Sequence, residues 1–223
     1  MTSDQVYKIV LYAVAKNLQD GYVSPEDFYI IINQGQRGYV DYLKGEYQKY
    51  QIKRPISVVE FGQNEMIRAS LMPLIYGAVM NVDSGGIAVP PSDFEYPDAM
   101  WGLYGYYNIR FVQQDRLQEY YRSQIDPIQT NPIYVIQHEG FHFFPENIGS
   151  ARMSYIRTPP SIVWGWRYDS NGLQVYDPST SQDPVWAESD IIQIVVRALQ
   201  LVGVNLQFST VLQYANDIKT NGQ

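Results

Sequence analysis

The chain has 223 residues and a formal net charge of −7, with 45% apolar and only 17% charged residues. That length and apolar content specify a globular rather than a disordered chain, with one substantial core or one domain carrying a sizeable excursion. The acidic balance leaves no chain-wide basic footprint for nucleic acid, and the absence of cysteine removes disulfides and Cys-based metal sites.

The first segment reads as a helix. Thr2-Ser3-Asp4 can cap it, and Val6, Ile9, Val10, Ala13, Val14 and Leu18 recur at helical spacing up to Gly21. The lone Lys8 behind Asp4 and the lack of a small-residue cleavage pattern make this a poor signal peptide. A second helix start lies at Ser24-Pro25-Glu26-Asp27, with Ser24 as N-cap, proline at the first helical position and acids in the first turn. Phe28, Ile31, Ile32, Tyr39, Tyr42, Leu43 and Tyr47 continue its apolar stripe, interrupted by Gly35 and Gly38, so the two helices are expected to pair as a hairpin.

From Arg54 to Pro91 the periodicity weakens, and the segment is expected to be connecting structure with short strands. Gly85-Gly86 reads as a turn, and Ile87 to Val89 as a short strand stopped by Pro90 and Pro91. The aromatic stretch from Tyr96 to Gln114 reads as one or two strands, and Asp115 to Gln124 as a short helix. Residues 131–157 are β-branched and aromatic, punctuated by Pro and Gly, and read as consecutive strands. Ser170-Asn171-Gly172 marks another hairpin turn. Trp186, Ile191, Ile194, Val195, Ala198, Leu199 and Val202 then form an amphipathic helical stripe closed by Gly203, and residues 208–220 read as a terminal helix. The expected fold is α+β, a single structural unit. Helices at 1–53 and 186–223 pack as a bundle, and 86–185 forms an inserted antiparallel β-rich module. No uninterrupted apolar run approaches the roughly 20 residues of a membrane helix.

One motif promises chemistry. His138-Glu139-Gly140-Phe141-His142 matches H-E-x-x-H and holds both histidines of the chain. Zinc chemistry needs both imidazoles on one helical face, a third ligand and a general base. Here Pro132 and Pro145 bracket a strand-like segment, and Gly140 sits where a helix would lose about 1 kcal/mol relative to alanine. The segment reads better as a β-hairpin with Glu139-Gly140 at the turn and His138 and Phe141 flanking it. His142 then points to the face opposite Phe141. His138, Glu139 and His142 are therefore expected to be a coincidence at a hairpin tip, with no metal, cofactor or catalytic residue assigned. Asp93, Glu95 and Asp98 could bind a cation or pair as carboxylates, but such a run is more often a solvated loop. The aromatics from Met100 to Tyr107 lack the basic interleaving of a base-stacking platform and read as core or subunit contact. Phosphate-loop, dinucleotide and nucleophile-elbow motifs are missing.

The layout resembles the head-to-tail adaptor ring proteins of tailed bacteriophages, in particular those of short-tailed, crAss-like phages. The resemblance rests on residues 22–43, on 89–107, on 125–164 and on 184–222. Its most recognisable part is the punctuation Pro127, Pro132-Ile133-Tyr134, Phe144-Pro145, Tyr155-Ile156-Arg157 and Pro159. It implies a non-enzymatic virion protein, a ring usually of twelve copies that docks beneath the portal protein. Further tail ring or nozzle proteins adjoin it, and DNA passes through the lumen without sequence-specific binding. It carries over no active site. The alternatives are another minor tail ring, a receptor- or glycan-binding tail protein and, remotely, an H-E-x-x-H zinc peptidase. The 20 tyrosines and the low charge accord with buried interfaces, though the tyrosines can equally line the chain's own core, and a negative wall would let DNA slide past.

Overall fold

A computed structural model describes residues 1–17, 22–52, 58–103, 107–122 and 127–202. In chain order the elements are α1 (Ser3–Asn17), α2 (Pro25–Ile52), α3 (Val58–Leu71), β1 (Ile75–Asn81), β2 (Ile87–Ala88), β3 (Phe94–Gly102), β4 (Arg110–Phe111), α4 (Leu117–Arg122), β5 (Ile133–Gln137), β6 (Gly140–Phe144), β7 (Ser150–Arg157), β8 (Trp166–Tyr168), β9 (Gln174–Tyr176) and α5 (Glu188–Leu201). The architecture is mixed α+β, with most strand pairs antiparallel. The expected terminal helix at 208–220, its preceding Gly203, and the expected helix stop at Leu18 to Gly21 lie outside the described residues.

The chain divides into two compact units, 1–73 with 159–223, and 74–158. In the first unit the expected helix starts are in place. Thr2 and Gln5 form a reciprocal cap: the Gln5 amide donates to Thr2 Oγ1 at 3.3 Å and the Thr2 amide to Gln5 Oε1 at 3.0 Å. Ser24 Oγ accepts the Asp27 amide at 3.1 Å and opens α2. Val6, Val10 and Val14 of α1 are buried, as are Phe28, Ile32, Tyr39 and Leu43 of α2. The Tyr7 phenol donates to Val23 O at 2.8 Å, and its ring meets Phe28 edge-on at 5.0 Å.

Helix α2 also packs on α5. Gly35 is the point of closest approach: a side-chain carbon there would lie 2.8 Å from Ile194 O and 2.9 Å from Ala198 Cβ. One position of the helical stripe expected for α2 is overturned, while the side chain of Tyr47 lies outside the described residues. Tyr42 is half-exposed, with the Arg197 guanidinium 4.8 Å above its ring, and buried Gln36 takes the inward position instead.

Two expectations about the middle of the chain are overturned. Residues 58–71 form a helix, not connecting structure with strands. Glu, Met, Arg, Ala and Leu in its second half are strong helix formers, Arg68 complements its C-terminal dipole, and Pro73 lies just past its end. The β-rich unit spans 74–158 and not 86–185. Its start moves forward because β1 pairs with β7 along seven residues, Ile75 with Ile156 through Asn81 with Ser150. Its end moves back because residues 159–186 dock on the first two helices. Gln36 Nε2 donates to Pro160 O at 3.0 Å, and Asn33 Oδ1 accepts the Ile162 amide at 2.8 Å. The Trp164 ring stacks 4.2 Å from Tyr7, and its Nε1 donates to Asp4 at 3.2 Å. The β8–β9 hairpin turns at Gly172, whose φ is +77°, as the Ser-Asn-Gly signal requires.

The second unit has a three-stranded sheet ordered β1-β7-β3 and a four-stranded sheet ordered β2-β6-β5-β4, in which β4 and β5 run parallel. Met80, Met100, Ala151, Met153 and Tyr155 of the first sheet share one apolar core with Ala88, Tyr134, Phe141 and Phe143 of the second. The alternation along β7 from Ala151 to Tyr155 explains this, since Ala151, Met153 and Tyr155 point inward from one face.

Candidate functional site: the HEGFH hairpin

Strands β5 and β6 form the antiparallel hairpin that carries the motif. The register pairs Ile133 with Phe144, Val135 with His142 and Gln137 with Gly140. The two-residue turn is therefore His138-Glu139, one position earlier than the sequence implies. Gln137 and Gly140 face each other beside the turn, not His138 and Phe141. Gly140 does adopt positive φ, +138°. Its role is different from the one expected, because a side chain there would run into the carbonyl oxygen of Ala88. Glycine is required where β2 closes on β6, as much as for the turn.

Phe141 and Phe143 enter the core, at 1% and 0% exposure. Their alternation turns His142 to the other face. There its Nε2–H donates to Gly85 O at 2.9 Å. Nδ1 is buried without a hydrogen-bond partner, and the ring lies 4.9 Å from that of Phe144. Gly85 is itself placed by Asp83, whose Oδ1 accepts the amides of Gly85 at 2.9 Å and Ile87 at 2.8 Å. His138 and Glu139 are exposed at the turn. The helical face that H-E-x-x-H needs is not built. One imidazole is tied to a backbone carbonyl, and the other sits on the turn. Among the described residues no group of three or more His, Asp or Glu side chains is placed to hold a metal ion.

The acidic run is not a solvated loop. Glu95 and Asp98 belong to β3, at the two places where its register against β7 slips. Asp93 Oδ1 accepts the Tyr155 phenol at 2.9 Å, and Asp98 Oδ2 accepts Ser154 Oγ at 2.9 Å. Burial pushes the Tyr155 phenol above its ordinary pKa, and the bond to Asp93 adds to this. Asp93 and Asp98 thus serve separate hydroxyls of β7 and do not converge as a carboxylate pair. Of the aromatic stretch, Met100 and Gly102 are buried and Tyr107 packs against the core. Residues 104–106 lie outside the described residues.

Sequence reading missed one surface feature, an open groove of about 410 Å³ lined by Pro25, Tyr29, Ile30, Trp164 and Trp166 in the first unit. Its residues come from two distant stretches of the chain, so no local pattern announces it. Among the described residues, Glu26 is the one carboxylate on its wall. No described helix is long and apolar enough to cross a membrane. No protein-family profile matches the chain, and a search of the curated proteins finds no significant similarity.

Proposed function

We propose that this chain is a structural virion protein of a tailed bacteriophage, an adaptor ring that joins the portal to the tail around the DNA channel. The observation that carries the reading is the exposed aromatic and aliphatic surface of both units. In the first unit Tyr12 is 72% and Tyr22 68% exposed, with Ile30 and Tyr42 also open. In the second, Val89, Phe111 and Ile128 are more than half exposed. Such side chains are what interface cores are made of. The layout of residues 22–43, 89–107, 125–164 and 184–222 supports the adaptor assignment by resemblance.

In this reading α2 and α5 are the centre of a terminal helical bundle, and the β-rich unit supplies contacts to neighbours. Copies meet head-to-tail through unlike patches, so the assembly closes by rotation into a ring, of twelve copies by the resemblance. The portal protein and further tail ring or nozzle proteins are its partners. The net charge of −7 suits a lumen that lets DNA pass without gripping phosphates. The role is non-catalytic and needs no cofactor.

The test is the mass of the purified protein alone and with its portal, followed by cryo-EM of the particle. Ring-sized oligomers around the channel are expected. A stable monomer in the presence of the portal overturns the reading. Stoichiometric zinc in elemental analysis, with activity lost in His138→Ala, would establish the peptidase in its place.

A further inference from the structure

The three-stranded sheet ends in two edges, and they differ in kind. The outer edge of β3 is closed. Pro97 removes a donor, the register slips twice, and Glu95 and Asp98 add charge at the slips. Its far end is already paired: the Ile109 amide donates to Met100 O at 2.9 Å and the Gly102 amide to Tyr107 O at 3.0 Å. These are the ordinary defences of an edge strand. Strand β1 has none of them. Ile75-Tyr76-Gly77-Ala78-Val79-Met80-Asn81 holds seven residues in unbroken register with β7, without proline, charge or bulge. Among the described residues no strand lies on its other side. Tyr76 is 44% and Val79 54% exposed.

We infer that β1 is a pairing edge and that its occupant is β1 of a second copy of this chain. Two observations select that occupant. First, a strand that meets itself across a two-fold axis sets each of its charges near a like charge, which costs stability, and β1 carries none. Second, the alternative of joining β1 to β3 of the next copy is blocked by the closed edge just described. Antiparallel pairing about Ala78 overlaps all seven residues. It sets Tyr76 against Met80 of the second copy, Ala78 against its own counterpart and Gly77 against Val79. The inward face of one strand thereby continues the inward face of the other. The contact is isologous. It goes beyond the ring reading, because ring neighbours are related by rotation about the channel and not by this two-fold axis. The contact belongs to the free protein before assembly.

The chain has no cysteine, so introduced thiols report the pairing without background. Position 77 has room, since an added side-chain carbon would meet nothing closer than Met153 O at 3.9 Å. Full-length Gly77→Cys protein is mixed with full-length Val79→Cys protein in the absence of portal and oxidised gently. The expected product is a disulfide dimer of unlike chains, exceeding like-chain dimers about tenfold, because only directly opposite side chains reach disulfide distance. In parallel, light scattering of the unmodified protein should show a concentration-dependent dimer that Val79→Lys abolishes, with circular dichroism unchanged. A monomer at all concentrations overturns the inference, and so does a dimer that survives Val79→Lys or crosslinks without preference. None of these outcomes bears on whether rings form when the portal is added.

Discussion

The Tyr39 phenol donates a 2.7 Å hydrogen bond to Asp190 Oδ1, joining the middle of α2 to the first turn of α5. Both side chains are buried, at 5% and 7% exposure. Among the described residues, Asp190 has one further side-chain donor, Ser70 Oγ at 3.4 Å. Tyr39→Phe removes the better of the two and leaves a buried carboxylate short of donors. The expected loss is about 1–3 kcal/mol by urea unfolding. Removing both groups in Tyr39→Phe with Asp190→Ala should cost less than the sum of the single changes, by 0.5 kcal/mol or more as an order of magnitude. Additive losses would show that the bond contributes nothing.

The same phenol makes stability depend on alkaline pH. Burial, then the bond to Asp190, pushes Tyr39 up to about 12. Burial also raises Tyr7, beside Tyr22, and Tyr134, beside Tyr96, to about 12. Between about pH 10 and 12 the unfolded chain has released these protons and the native chain still holds them. The native state binds more protons there, so stability falls as pH rises. Stability from these groups should be complete below about pH 10 and lost through pH 12. Urea midpoints across that range check it, with Tyr39→Phe expected to give a shallower decline.

Gly35 and Gly38 stand one turn apart on α2 and should respond oppositely to alanine. At Gly35 the added carbon meets Ile194 O and Ala198 within 2.9 Å, and backbone cannot step aside. A loss of about 1–3 kcal/mol is expected from overpacking. At Gly38 nothing lies within 4 Å, so the better helix propensity of alanine should add about 0.5–1 kcal/mol. Thermal denaturation of the two variants decides the matter. Equal effects would mean that α2 and α5 do not meet at Gly35.

The two histidines of HEGFH should also separate. His142→Ala deletes the bond to Gly85 O and a ring contact to Phe144, at an expected cost of about 0.5–1.5 kcal/mol. His138→Ala changes an exposed turn residue and should stay within about 0.5 kcal/mol of the parent. Gly140→Ala should be worse than either, because it adds a clash with Ala88 O at a positive φ. Chemical denaturation ranks all three.

The limits of sequence reading show at individual residues. Thr2, Ser24, Gly85-Gly86 and Ser170-Asn171-Gly172 announced helix starts and turns correctly, because caps and tight turns are closed by groups within a few residues of one another. The strand character of residues 133–144 was legible for a related reason. Two prolines, a glycine and β-branched residues leave that backbone little else to do, so H-E-x-x-H never becomes a helical face. The exact turn was misplaced, since the need for glycine at 140 comes partly from Ala88, some fifty residues away.

The sequence by itself determined the α+β class, the helix caps and the strand-like nature of HEGFH, all of which rest on short-range backbone constraints. Tertiary structure alone decided that residues 75–81 join β7 and that residues 159–186 side with the helices. It also decided that Tyr42 faces out while Gln36 turns in, and that among the described residues β1 has a strand on one side only. Each of these depends on partners distant in the chain, where hydrogen-bond pairing and close packing choose among local conformations of similar energy.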